Sequence, residues 1–206
     1  YQILSELYLL NNEKDKAFEV FKKILELDPE DAKAHLTLAD YYRDEGDNEA
    51  SYKQLKAAFS SPKLSIDVKV SILISYYSIS DEYAQMKKQA MDLCEILIDV
   101  HINNPIAHAI YGDFLYKDGR NKEAKVQYKK VIALDQNRPQ VWSQLLFIES
   151  ELRDYAELEL DSEKALQLFP TNPVYYFFNG IANSQLKNYK KAISSLEIGL
   201  EFVIEN

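Results

Sequence analysis

Three prolines, Pro105, Pro139 and Pro173, stand 34 residues apart. Small residues keep the same beat. Gly112 and Gly180 lie two periods apart, and the ladder reaches back to Ala39 and Ser5. A fixed period of this length constrains the fold more than any single motif. Each unit is one small supersecondary element that cannot bury its apolar face alone, so neighbours must stack. The period divides the chain into units 1–31, 32–65, 66–104, 105–138, 139–172 and 173–206, read as one continuous array. The third unit departs from it. Ala39 and Gly112 are 73 residues apart, five more than two periods, and the extra five fall between Ile66 and Asn104. Five residues are not a whole number of helical turns, so the insertion belongs at a helix end or in a turn, where the core register survives. Tyr1-Gln2-Ile3-Leu4 reads as the inside of a helix without a cap, and the segment is expected to come from a longer chain.

Within a unit the pattern is two helices. In the second unit Ala34, Leu38, Ala39, Tyr41 and Tyr42 make one stripe and Ala50, Leu55, Ala58 and Phe59 another. Gly46-Asp47-Asn48 separates them. The fourth unit repeats this with Ala107, Tyr111, Gly112, Leu115 and Tyr116, then Asp118-Gly119-Arg120-Asn121, then Ala124, Tyr128, Val131 and Ile132. Spacings of three and four put each stripe on one helix face, and glycine or asparagine between them is a helix stop. Pro105, Pro139 and Pro173 suit a first helical turn, where a missing N–H costs nothing. Asn104 and Asn172 are placed as N-caps. The second helix of the third unit is expected from about Asp81 to His101, and the last helix over about Tyr189 to Glu205.

Composition narrows the function classes. Apolar residues make up 47% of the chain and charged residues 28%, a balance that folds. A net charge of −9 without a basic stripe argues against nucleic-acid binding. No apolar run is long enough to span a membrane, so direct insertion of this segment is not expected. The histidines, His35, His101 and His108, lack converging ligands, and no metal site is expected. Cys94 reads as a small buried apolar residue. Glycine-rich phosphate loops and nucleophile or zinc-protease motifs are absent, while Glu30-Asp31 and Asp81-Glu82 sit where helix starts favour acids. The chain is expected to be no enzyme and to need no cofactor.

These residues resemble the tetratricopeptide repeat family. The resemblance rests on Tyr8, Ala17, Phe21 and Pro29 in the first unit, and on Leu38, Ala39, Tyr42 and Ala58 in the second. Tyr111, Gly112, Ala124 and Tyr128 carry it in the fourth. Trp142, Leu145, Ala165 and Pro170 carry it in the fifth, and Gly180, Tyr189, Ala192 and Leu196 in the sixth. It covers essentially the whole chain and implies an all-α, right-handed α-α superhelix of about six helix-turn-helix repeats. Departures are Leu146, Glu149 and Ser162 in the fifth unit, Asn183 in the sixth, and Leu73 and Cys94 in the third. Trp142, Phe147 and Glu149 are similar to a variant repeat of RNA-processing scaffolds, which leaves an RNA-processing scaffold as a third reading. The asparagine- and lysine-rich turns resemble bacterial envelope-associated repeat proteins. That implies a periplasmic or envelope setting, with the cytoplasm as the alternative.

The resemblance also implies a concave groove lined by the first helix of each pair. Its slots hold Ile74 and Tyr77, then Ile110, Asp113 and Tyr116, then Phe147, then Phe177, Phe178 and Ile181. Asp40 and Asp44 make its N-terminal end acidic. The function implied is a scaffold that binds a peptide, helix or extended protein segment there. The basic clamp of chaperone-binding relatives is missing, since its slots hold Gln2, Glu6, Thr37, Asp40, Ser71 and Ile74. The alternative is a spacer or dimerisation module, because Ile193, Leu196, Leu200 and Val203 line one side of the last helix and invite further repeats or a second copy.

Overall fold

The computed structural model describes residues 1–79 and 84–204. Among the described residues the chain is all-α, with twelve helices and no strand, as the periodicity predicts. They form two compact units, Tyr1–Ile102 and Asn103–Asn206. The first unit holds α1 (Gln2–Leu10), α2 (Lys14–Leu27), α3 (Ala32–Asp44), α4 (Asn48–Ser60), α5 (Ile66–Ile79) and α6 (Ala84–Val100). The second holds α7 (Pro105–Lys117), α8 (Asn121–Leu134), α9 (Pro139–Glu151), α10 (Tyr155–Leu168), α11 (Pro173–Gln185) and α12 (Tyr189–Ile204). The expected start of α6 at Asp81, the Asp81-Glu82 pair and the expected end of α12 at Glu205 lie outside the described residues. With 17 residues, α6 is three longer than its counterpart α8.

Local chemistry sets the helix starts. The Asn104 and Asn172 side chains accept hydrogen bonds from the N–H groups of Ile106 at 2.9 Å and Val174 at 3.1 Å. Each cap is followed by its proline as the first helical residue. Asp31 and Asp47 cap α3 and α4 in the same way, through Ala34 and Ala50. Pro139 opens α9 without a side-chain cap, because Arg138 has no acceptor to offer.

Helix pairs lie side by side through small residues. Ala39 and Ser5 are buried, and Gly112 and Gly180 admit a neighbouring side chain where a Cβ would stand. In the first unit Ala17, Val20, Phe21 and Ile24 of α2 close on Ala34 and Leu38 of α3. Pairs then follow one another through second-helix-to-first-helix contacts, α2 on α3, α8 on α9 and α10 on α11. One junction differs: α4 rests on α6 rather than along α5. His35 and His108 occupy matching places and make the same bond, Nδ1 to Gln54 at 2.6 Å and to Gln127 at 2.8 Å. Both are structural. Cys94 is buried.

Candidate functional site

In the second unit α7, α9 and α11 present a run of aromatic rings. Tyr116 meets Phe147 edge-on at 6.2 Å between centroids, Phe147 meets Phe178 at 6.5 Å, and Phe178 meets Phe177 at 5.5 Å. These are favourable edge-to-face distances. Phe147 is 42% exposed and Phe177 52%, large values for rings held in contact. Phe178 is only 7% exposed, so it acts as the packed bridge between them rather than as an open surface. Ile110, Tyr116 and Ile181 are half-buried. Asp113 accepts a 2.7 Å hydrogen bond from the Tyr128 hydroxyl. Burial raises its carboxyl above the usual range, against the lowering by that bond. Much of its capacity is therefore spent inside the fold.

The sequence candidates in the first unit lie on α3 and α5. Ile74 and Tyr77 are exposed. Asp40 and Asp44 are exposed too, but each already has a cation: Arg43 at 2.7 Å and Lys14 at 2.7 Å. The Lys14 hydrogen bond holds Asp44 below the usual carboxylate range. Both acids are locally neutralised, so this end is less acidic than the residue types alone suggest.

Sequence reasoning missed a charged cluster across α8, α9 and α10. Glu149 is fully buried, in a slot where an aromatic residue is the family habit. Its carboxylate lies 3.2 Å from the Lys129 ammonium and 4.0 Å from Lys125. Lys129 also pairs with Glu157 and, at 3.0 Å, with Asp161. Lys125 reaches Asp154 at 2.7 Å and Glu157 at 2.9 Å. Burial first, and the Asp161 charge second, push Glu149 up to about 7, and the two lysines pull against them. Burial would lower Lys129, but its bonds to Glu157 and Asp161 outweigh that and hold it high. Glu149, Glu157 and Asp161 are close enough together to suggest a metal cage. Lys129 already occupies the middle of it with the charge a metal would bring, so the donor set does not fit a resident ion. The only early signal was an acid in an aromatic slot. Its lysine partners stand a full helix away in sequence.

Two further polar features are buried. Lys69 has no exposed surface, and its ammonium donates to the Ser61 carbonyl and to His101 Nε2, both at 3.0 Å. Burial lowers Lys69 to about 8. Burial, with Lys69 second, holds His101 below the usual imidazole range. In the second unit Ser162, standing where Tyr128 stands one repeat earlier, accepts a hydrogen bond from Asn179 at 3.0 Å. Ser195 donates to the same asparagine at 2.7 Å. Polar residues in these slots are thus matched with one another. No described helix is long and apolar enough to cross a membrane.

A sequence model of the tetratricopeptide repeat matches residues 1–31. A curated relative, the human protein O-mannosyl-transferase TMTC3, is 24% identical over 194 residues, covering 84% of this chain. The chain spans about a fifth of that protein's length, 20%. Among solved structures, the C-terminal part of a TPR repeat-containing protein from Cytophaga hutchinsonii superposes with a TM-score of 0.59 at 17% identity. That match covers all of this chain, 100%, and 80% of the other. MamA from Desulfovibrio magneticus gives 0.59 at 17% identity, covering 85% and 96%. YrrB, described as a TPR protein with an unusual peptide-binding site, gives 0.55 at 19% identity, covering 90% and 93%. One repeat, residues 1–31, is thus matched in sequence, and the fold of the chain is similar to that of solved tetratricopeptide-repeat proteins.

Proposed function

We propose that the chain is a non-enzymatic interaction scaffold whose second unit receives an apolar protein segment along α7, α9 and α11. The observation that carries this reading is the ring ladder from Tyr116 through Phe147 and Phe178 to Phe177. Two of its rings stay open to solvent although a neighbour holds each in place. Anchors of this kind lose little side-chain freedom on binding, and aromatic residues dominate binding energy at interfaces. Ile110 and Ile181 extend the apolar strip, and Asp113, committed to Tyr128, leaves it weakly charged. The occupant is therefore a helix or extended segment with apolar side chains. The peptide-binding site attributed to YrrB accords with this reading. In the first unit, Asp40, Asp44, Ile74 and Tyr77 on α3 and α5 are proposed separately as contacts for a protein segment.

The test compares the wild type with Phe147→Ala/Phe177→Ala as bait for the same extract, followed by titration of the recovered partner. Each exposed ring removed should weaken binding by about 1–2 kcal/mol, roughly tenfold, with the melting temperature held. Equal affinity in a folded double variant removes the ladder from the site. A second reading, self-association through α12, is favoured by the open side chains of Ile193, Leu200 and Val203. Sedimentation of the same wild-type preparation decides it, since a monomer at high concentration rejects it.

A further inference from the structure

The irregular junction in the first unit has left a cleft. Because α4 rests on α6 and not along α5, the space between the second and third helix pairs stays open. Its volume is about 450 Å³, within the range of ligand pockets, roughly 300–1,000 Å³. Ala39, Leu55, Ile72 and Met86 form an apolar floor. Asn48, Tyr76, Gln85 and Gln89 stand around it. Among the described residues none of these four side chains is committed to a hydrogen bond. The neighbouring Tyr52 hydroxyl differs, since it is bound to Asp92 at 3.0 Å.

The charge at the rim selects the ligand. Arg43 is close enough to act on the Tyr76 phenol, but Asp40 neutralises it at 2.7 Å. Among the described residues no second cation lines the cleft, so an anionic headgroup would find no net positive field. Side-chain amides both donate and accept, which is what a peptide main chain needs. We infer that this cleft is a second peptide site. It takes one apolar side chain of an extended, uncharged segment onto the floor, and Tyr76, Gln85 and Gln89 hold the segment's amide groups. The site lies in the first unit, and it stands whether or not the ring ladder binds.

The test is methyl NMR on the whole chain, titrated with blocked Ac-Gly-Gly-Leu-Gly-Gly-NH2, the matching lysine peptide, and decanoate. The leucine peptide should shift the Leu55, Ile72 and Met86 methyl signals saturably, with the lysine peptide several-fold weaker. Tyr76→Phe should weaken it by about fivefold, the loss of one hydrogen bond, and Gln85→Ala/Gln89→Ala by more, the loss of two, each with an unchanged melting temperature. Absence of saturable shifts up to ~10 mM, far above the ~1 mM expected of a single anchor, overturns the site. Binding of decanoate alone overturns the peptide assignment. Unchanged affinity in both folded variants overturns the role of the amide and phenol groups.

Discussion

Gly112 and Gly180 hold the same place in repeats four and six, yet their surroundings are unequal. A Cβ on Gly112 would stand 2.7 Å from the Tyr128 ring, which is buried and tied by its hydroxyl to Asp113. A Cβ on Gly180 would stand 2.6 Å from the Leu196 side chain, which is 44% exposed and has room to turn away. Gly112→Ala should therefore cost about 1–3 kcal/mol, the usual range for overpacking a fixed neighbour, and Gly180→Ala distinctly less. Thermal melts of the two variants measure the difference, and equal losses would show that Tyr128 yields as readily as Leu196. The need for a small residue at both positions was legible in the sequence, because the 34-residue ladder marks it. The mobility of the opposing side chain was not, since it depends on what covers residue 196 and residue 128. Phe178 gives the same lesson. Its slot identified it as a groove residue, but its two neighbours among the rings determine that it is buried.

The helix pairs turn on a shared backbone device. Asn12, Gly46, Gly119, Arg153 and Lys187 all have positive φ, between 58° and 82°. Each comes two residues after its helix ends and lets the chain reverse before the next helix begins. Gly46 and Gly119 were readable as turns because only glycine enters this region without strain. Arg153 and Lys187 were not, because nothing in a long cationic side chain advertises a left-handed backbone. They are carried there by the helices on either side. Left-handed backbone costs an ordinary residue roughly 1–2 kcal/mol, part of which glycine returns as unfolded-state entropy. Lys187→Gly should consequently stabilise the α11–α12 pair by about 0.5–1 kcal/mol. Chemical denaturation reads this as a higher midpoint at unchanged slope. A lower midpoint would mean that the lysine side chain compensates the strain.

Across the whole molecule, the two compact units carry buried charges that respond to acid in opposite directions. In the second unit Glu149 has its folded pKa raised to about 7 by burial and by Asp161. Between its ordinary value and 7 the folded form holds more protons than the unfolded chain, so stability is gained as pH falls through 7. In the first unit His101 has its folded pKa lowered by burial and by Lys69. Below the ordinary imidazole value the unfolded chain holds more protons, so stability is lost as pH falls. Lys69 adds a term at the alkaline end. Its folded value of about 8 lies below the ordinary ammonium value, so its burial costs most at neutral pH, and stability returns as pH rises beyond 8. Acidifying from 7 to about 5, still above the range in which Glu157 and Asp161 take up protons, should separate the melting of the two units. The second unit moves up and the first down. Calorimetry follows this directly as a transition that broadens or splits. Glu149→Gln should abolish the upward movement, and His101→Gln the downward one. If both variants track the wild type at each pH, these groups titrate alike in the folded and unfolded chain, and their burial has no energetic consequence. Repeat period alone treats the six pairs as equivalent. The residues that break the pattern, Glu149 in an aromatic slot and Lys69 with no acid partner among the described residues, distinguish the units energetically.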